Sequence, residues 1–251
     1  MWGIVPAAGM GTRIQPLAFS KELLPVGSRV DGQIERPCTV SEYLIERMIR
    51  AGAEKICMVI SAHKSDIVSY YGGDVRGISL AYVVQSEPAG LCDAIFRALP
   101  LLPREEEDVL VGLPDTIWFP EDALGQLQVG AREIGFVLFP VDAPELFDAV
   151  VLDERDRVRE IQVKQKGASS HWIWGAFRLK AATLRELYEL WCERDKVDPY
   201  LGTLVNAYLE RGGRAYGARI GNAYVDVGTL HGYRKALELL TRIRKEGGAR
   251  E

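Results

Sequence analysis

The chain opens with a short apolar run, Ile4-Val5-Pro6, that passes into Ala7-Ala8-Gly9-Met10-Gly11-Thr12-Arg13, and Ser20-Lys21-Glu22-Leu23-Leu24-Pro25 follows. Glycines let backbone N–H groups approach a phosphate with no Cβ in the way. An arginine can grip phosphate oxygens in a fork, and a lysine adds a point charge. Together these groups suit the phosphates of a nucleoside triphosphate. The spacing excludes two common phosphate loops. Gly9-Met10-Gly11 lacks the third glycine of a dinucleotide-binding turn, and no acidic residue stands at the expected distance after it. No Gly-Lys-Ser/Thr closes it as a Walker A loop. A tight strand-to-helix turn accounts for the glycines, but not for Thr12, Arg13 and Lys21 together with them.

Two carboxylates extend this chemistry. Asp115 follows the apolar run Val109–Leu113, and Asp226 sits in Tyr224-Val225-Asp226-Val227-Gly228-Thr229. Each stands at the end of an apolar strand, where open α/β sheets place ligands. A nucleotide's magnesium is usually held by one or two carboxylates plus phosphates and water. Taken alone, Asp115 reads equally well as a turn aspartate after a proline. Beside the glycine loop, both read as metal ligands.

The block Gly-x-Gly-Thr-Arg, Pro16 and Lys-Glu-Leu-Leu-Pro resembles the sugar-phosphate nucleotidyltransferase family, above all its glucose-1-phosphate thymidylyl- and uridylyltransferases. The resemblance implies an enzyme that joins a sugar 1-phosphate to UTP or dTTP and releases pyrophosphate, with Mg²⁺ held by Asp115 and Asp226. It makes Ala7, Ala8, Gly9, Met10, Gly11, Thr12, Arg13 and Asp115 nucleotide-binding, and Arg13 and Lys21 catalytic cations. In Gln85-Ser86-Glu87-Pro88-Ala89-Gly90, it implies that Gln85 reads a pyrimidine edge, with Pro88 and Gly90 beside the base. A side-chain amide offers both a donor and an acceptor to uracil or thymine, which leaves UTP and dTTP both open. For the sugar phosphate it implies a further catalytic lysine in Ile161-Gln162-Val163-Lys164-Gln165-Lys166: Lys164 by register, with Lys166 as the other candidate. Gly175 matches a family glycine near the sugar. Two positions depart from the pattern. Val163 replaces a glutamate that binds sugar hydroxyls, and Asp148 replaces a glycine. Both fall where the sugar is expected, so a non-hexose phosphate acceptor and a non-catalytic nucleotide-sugar-binding homologue stay open as alternatives.

The elements that position these groups follow from apolar periodicity. Continuous apolar strands at 2–7, 55–61, 80–84 and 109–113 alternate with helices at 40–51, 64–71 and 91–99, the pattern of a parallel sheet covered on both faces. From about residue 134 the strands crowd together, at 134–140, 149–152, 158–163 and 172–179. Helices at 181–193 and 198–211, strands at 214–220 and 223–225, and a helix at 230–244 complete the chain, and the tail 245–251 reads as frayed. With the resemblance, this implies an α/β fold. It is a Rossmann-like three-layer α/β/α domain with a mixed, mostly parallel sheet and a smaller β-rich sugar-binding lobe. One nucleotidyltransferase domain spans 1–251, with a nucleotide-binding half at 1–133, a sugar-phosphate half at 134–229 and a C-terminal helix and tail at 230–251.

The 251 residues are 47% hydrophobic and 26% charged, with a net charge of −4. That composition suits a globular domain, and with no basic block it argues against nucleic-acid or membrane partners. No signal peptide or membrane span is read. Cys38, Cys57, Cys92 and Cys192 are scattered and read as reduced thiols of a cytoplasmic protein. His63, His171 and His231 lack zinc-ligand spacing. A homo-oligomer is implied by the resemblance alone.

Overall fold

The computed structural model describes residues 1–102 and 104–248. In the first half, β1 (Trp2–Pro6) leads into the glycine loop, and a hairpin of β2 (Pro25–Asp31) and β3 (Ile34–Thr39) precedes α1 (Val40–Arg50). Then come β4 (Lys55–Ser61), α2 (Ser65–Tyr71), β5 (Asp74–Val75), β6 (Ile78–Gln85), α3 (Gly90–Phe96), β7 (Asp108–Gly112), β8 (Thr116–Phe119) and α4 (Ala123–Gln126). The second half contributes β9 (Glu133–Pro140), β10 (Asp148–Leu152), β11 (Val158–Val163), β12 (Trp172–Lys180), α5 (Ala181–Glu193), α6 (Leu201–Glu210), β13 (Arg214–Ala218), β14 (Ala223–Asp226) and α7 (Leu230–Gly248).

A ten-stranded sheet runs in the order β11-β10-β12-β7-β1-β4-β6-β5, with β9 beside β12 and β13 beside β9. Strands β7, β1, β4 and β6 are parallel. Strand β12 pairs antiparallel with β7, so the crowded strands of the second half continue the same sheet. The continuous apolar runs are explained by burial on both faces. In β4, Cys57 and Val59 point to a core shared with α3, α5 and α6, while Ile56, Met58 and Ile60 point to a core shared with α1, α2 and α4. The sheet is therefore the middle of three layers, as the apolar pattern implies. A separate β8–β14 ribbon and the β2–β3 hairpin pack with α7 around a third apolar cluster.

Several boundaries differ from the sequence expectation. Helix α3 stops at Phe96 and a short 3₁₀ turn takes over around Pro100, which has no N–H to extend a helix. Helix α6 begins at Leu201 rather than 198, because the residue before Pro199 is turned away from helical geometry and Asp198 instead binds Arg194. Helix α7 runs on to Gly248 through residues read as tail, and the rest of that tail, 249–251, lies outside the described residues. The β2–β3 hairpin was not anticipated. Its residues are mostly exposed, so no apolar stripe marks it, and its turn rests on Gly32 at φ +63°. Among the described residues, no helix is long and apolar enough to cross a membrane.

One buried arginine ties α1 to the ribbon. Arg47 donates to the Trp118 carbonyl from Nε (3.0 Å) and Nη2 (2.6 Å), and to Tyr43 O from Nη1 (2.7 Å). Its guanidinium lies between the rings of Tyr43, Trp118 and Phe119. Replacing it with methionine keeps most of the packing but strands a buried carbonyl. Arg47→Met should lower stability by about 1–3 kcal/mol, read as a shift of the urea midpoint. An unchanged midpoint would show that the clamp contributes nothing.

Candidate active site

The glycine loop emerges from the carboxyl end of β1, between its neighbours β4 and β7 in the sheet. Gly11 has φ +64°, and a Cβ there would lie 2.8 Å from Lys21 Cδ. The glycine thus permits both a left-handed turn and close packing of the lysine stem. Lys21 opens a short 3₁₀ turn, Lys21–Leu23, and its Nζ reaches Asp115 Oδ2 at 2.5 Å. Arg13 Nη2 reaches Asp226 Oδ2 at 3.2 Å from an otherwise exposed side chain. Residues Gly9, Met10, Thr12 and Arg13 face solvent, open to a ligand.

The two carboxylates meet because β8 and β14 pair antiparallel, with Thr116 opposite Asp226 and Val227 N donating to Asp115 O at 2.8 Å. A Cβ placed on Gly228 would lie 2.8 Å from Asp226 Oδ1, 3.1 Å from Arg13 Nη2 and 3.4 Å from Asp115 Oδ2, so three charged groups converge on one backbone that has no side chain. Burial raises Asp226 above the usual carboxylate range, and repulsion from Asp115 adds to this. Burial also pushes Asp115 upward, but the Lys21 ammonium and its hydrogen bond outweigh that and hold Asp115 below the usual range. Lys21 is raised: its burial is overcome by Asp115 and Glu22. This all-oxygen pair under mutual repulsion suits a hard divalent cation such as Mg²⁺. Among the described residues no cluster of three or more His, Cys, Asp or Glu forms a metal cage, so substrate oxygens and water would complete the shell.

The expected base-reading residues lie together where β6 passes into α3. Gln85 is buried, and its amide nitrogen donates to Gly90 O (3.2 Å) and Asp93 Oδ2 (2.7 Å). That fixes the amide and leaves its carbonyl oxygen as the acceptor. Gly90 takes φ +86° against the Pro199 carbonyl, while Pro88 is exposed.

The expected sugar residues gather on β10, β11 and β12. Asp148 and Val163 are direct cross-strand partners, so the two departures from the family pattern fall at one place. The Asp148 carboxyl accepts from Trp174 Nε1 at 3.4 Å, and burial raises it above the usual range despite the nearby Lys164 charge. Lys164 has φ +45°, its N–H is held by Phe147 O at 2.8 Å, and its ammonium lies 4.3 Å from the Tyr200 ring centre. Gly175 occupies the register shift between β12 and β9, where a Cβ would strike Phe139 and Tyr224 at 2.7 Å. Trp174 is buried and Trp172 packs against the same core, so both serve that core. Cys57 and Cys92 are buried, and burial lifts each thiol to about 12, so neither is a nucleophile at neutral pH.

Residues 2–242 match the family model for nucleotidyl transferases. The chain belongs to this family. It is 26% identical over 182 residues to a UTP–glucose-1-phosphate uridylyltransferase of Haloferax volcanii, covering 70% of each chain. It is 24% identical over 255 residues to a glucose-1-phosphate thymidylyltransferase of Mycolicibacterium smegmatis, covering 99% of this chain and 85% of that one. The UTP-bound UGPase of Acinetobacter baumannii superposes with a TM-score of 0.76 at 20% identity, over 95% of this chain and 92% of that one.

Three further residues of the transferase, unmarked in the sequence motifs, shape the same region. Lys64 lies at the start of α2, where a helix-start lysine reads as a surface residue. Its ammonium is instead buried against Glu22, Ala7 O and Gly9 O. A cation at a helix N-terminus opposes the macrodipole, and that mismatch was the available signal. Asp66, two residues on, accepts from Ser20 N (2.6 Å) and Ser20 Oγ (2.7 Å), pinning the start of the Lys21 turn. Gly232 in α7 backs Asp226 so closely that a Cβ would fall 1.8 Å from the Asp226 carbonyl oxygen. Gly232→Ala must therefore displace Asp226. It should lower turnover by at least ~10-fold, since misplacing a reacting group by about 1 Å can cost ~10²-fold. Steady-state assays beside a melting curve would check this, and unchanged kcat would show that the Asp226 backbone position is not critical.

Proposed function

We propose that the transferase joins a sugar 1-phosphate to UTP or dTTP, giving a nucleotide sugar and pyrophosphate. The observation that carries this is the convergence of Arg13, Lys21, Asp115 and Asp226 beside the glycine loop. The curated relatives described above are named for the two versions of this reaction.

The reaction needs little covalent help from the protein. An oxygen of the sugar phosphate attacks the α-phosphorus of the nucleotide, a new P–O bond forms, and the α–β bridging bond breaks. Pyrophosphate leaves with that electron pair. A phosphate dianion is already an adequate nucleophile, so catalysis is positioning and charge neutralisation. In this reading Arg13 and the loop N–H groups hold the β- and γ-phosphates, where negative charge builds. Lys21 neutralises the α-phosphate. Lys164 holds the incoming sugar phosphate, and Gln85 and Gly90 receive the pyrimidine. Asp115 and Asp226 hold Mg²⁺, which when bound supplies positive charge to the phosphate oxygens.

Mg²⁺-dependent pyrophosphate release, with UTP and dTTP each crossed with a panel of sugar 1-phosphates, tests the reading. One reacting pair is expected. Arg13→Ala and Asp115→Asn should each cost ~10²–10³ in rate, and near-normal turnover in either would remove that residue from the mechanism.

The raised Asp226 and lowered Asp115 give a directional pH test. Mg²⁺ requires both carboxylates ionised. As pH falls, Asp226 takes up its proton first, at a pH above the ordinary aspartate value of ~3.9, while Asp115 stays charged. Mg²⁺ affinity in the presence of nucleotide should therefore decline in that window with uptake of a single proton. Asp226→Asn should remove this pH dependence. A decline that persists in Asp226→Asn would assign the proton elsewhere.

The pairing of Asp148 with Val163 favours a second reading of the acceptor. A carboxyl on β10 facing an apolar residue on β11 reads a different set of groups from the family arrangement. A non-hexose phosphate acceptor follows from it. If only common hexose 1-phosphates release pyrophosphate from the panel, that reading is wrong.

A further inference from the structure

The glycine loop rests on a cation that has no donor left for a ligand. Lys64 is 8% exposed, and its ammonium donates to Ala7 O at 2.6 Å, Gly9 O at 2.7 Å, and the two oxygens of Glu22 at 2.8 and 2.7 Å. Three N–H donors are thus shared among four acceptors. Glu22 is fully buried, and its neighbour Lys21 turns instead to Asp115. The pair is held from outside as well, since Ser41 Oγ donates to Glu22 O at 2.7 Å.

The consequence lies in the peptide planes. A trans peptide is flat, so its C=O and the following N–H point in opposite directions. Drawing Ala7 O onto Lys64 turns the Ala8 N–H away from it. Drawing Gly9 O onto the same ammonium does likewise for the Met10 N–H. Among the described residues, neither N–H meets a protein acceptor, although Ala8 itself is buried. A buried donor without a partner is rare, and Ala8 carries one; Met10 is exposed, so its N–H is open to an incoming ligand, and both lie in the loop that turns toward Arg13 and Lys21.

We infer that Lys64, with Glu22 as counter-ion, is a positioning residue that sets the peptide planes of the glycine loop, presenting the Ala8 and Met10 N–H groups as fixed donors to nucleotide phosphates. This rests on the triphosphate reading of the loop. Lys64 never touches the nucleotide. It determines which way the loop's dipoles face, so its effect falls on the outer phosphates and not on the base or ribose.

Calorimetric affinities for UTP and dTTP, each compared with its monophosphate, test this in three proteins: wild type, Lys64→Met, and the double variant Lys64→Met/Glu22→Leu. The double variant removes both buried charges together, so no unpaired carboxylate is left in the core. Wild type should bind the preferred triphosphate more tightly than its monophosphate. Both variants should lose about 10- to 100-fold in triphosphate affinity, with monophosphate affinity changed less than about 3-fold. The double variant should do so with a near-native melting temperature. Equal losses for triphosphate and monophosphate would reduce Lys64 to a general structural role and overturn the inference, as would retained triphosphate affinity in a folded double variant. If wild type itself fails to prefer the triphosphate, the reading of the loop falls first and the inference falls with it.

Discussion

The site depends on holding two carboxylates side by side. Antiparallel pairing of β8 with β14 brings Asp115 and Asp226 to the same end of a two-stranded ribbon, where each raises the cost of ionising the other. In a partly dry setting such repulsion is substantial. The surrounding structure answers it with cations at fixed positions: Lys21 on Asp115, and Arg13 on Asp226. Those cations come from the glycine loop and the turn after it, in a different part of the chain. Stabilising the acidic pair and assembling the proposed phosphate site are therefore one structural act.

That arrangement accounts for several otherwise unrelated choices of residue. Gly228 is bare because three charged groups occupy the space a side chain would fill, and Gly232 is bare because α7 packs directly on the Asp226 backbone. Arg47 is buried without a carboxylate because it holds the carbonyl of Trp118, three residues beyond Asp115 in the same strand-and-turn segment. Each tightens the ribbon that carries the acids. The large sheet plays a different part. Its parallel strands β1, β4 and β6 deliver the glycine loop, the Lys64 turn and Gln85 to one edge, as expected of carboxyl ends in an open α/β sheet.

The sequence was legible wherever one residue type and its immediate neighbours decide the outcome. The central strands β1, β4, β6, β7, β9 and β12 of the large sheet carry long apolar runs, and β4, α5 and β11 begin and end where periodicity places them. Asp115 and Asp226 could be singled out because each closes an apolar run. Their adjacency could not, because it depends on β8, a four-residue strand hidden between a turn and a proline. Beyond its helix-start mismatch, nothing in the sequence marked the burial of Lys64, because its partners are Glu22 and two carbonyls more than forty residues away. The cross-strand register of Asp148 and Val163 joins two departures that, along the chain, look independent.

The half-buried Lys21 and the buried Lys64 show how one short segment divides its labour. Residues 21 and 22 are consecutive in a tight turn, so their side chains leave in different directions. Lys21 spends one N–H on Asp115, and among the described residues its other two N–H donors meet no protein acceptor. Glu22 fixes Lys64, whose donors are all committed to the protein. The first lysine is suited to contact because it is under-used, and the second is suited to support because it is saturated. Ser20, tied to Asp66 just ahead of them, and Ser41, tied to the Glu22 carbonyl, hold the turn itself in place. A shift of this turn would move the Lys21 ammonium and the carboxylate under the loop together. The Lys21 charge and the loop geometry are thereby coupled through a single three-residue turn.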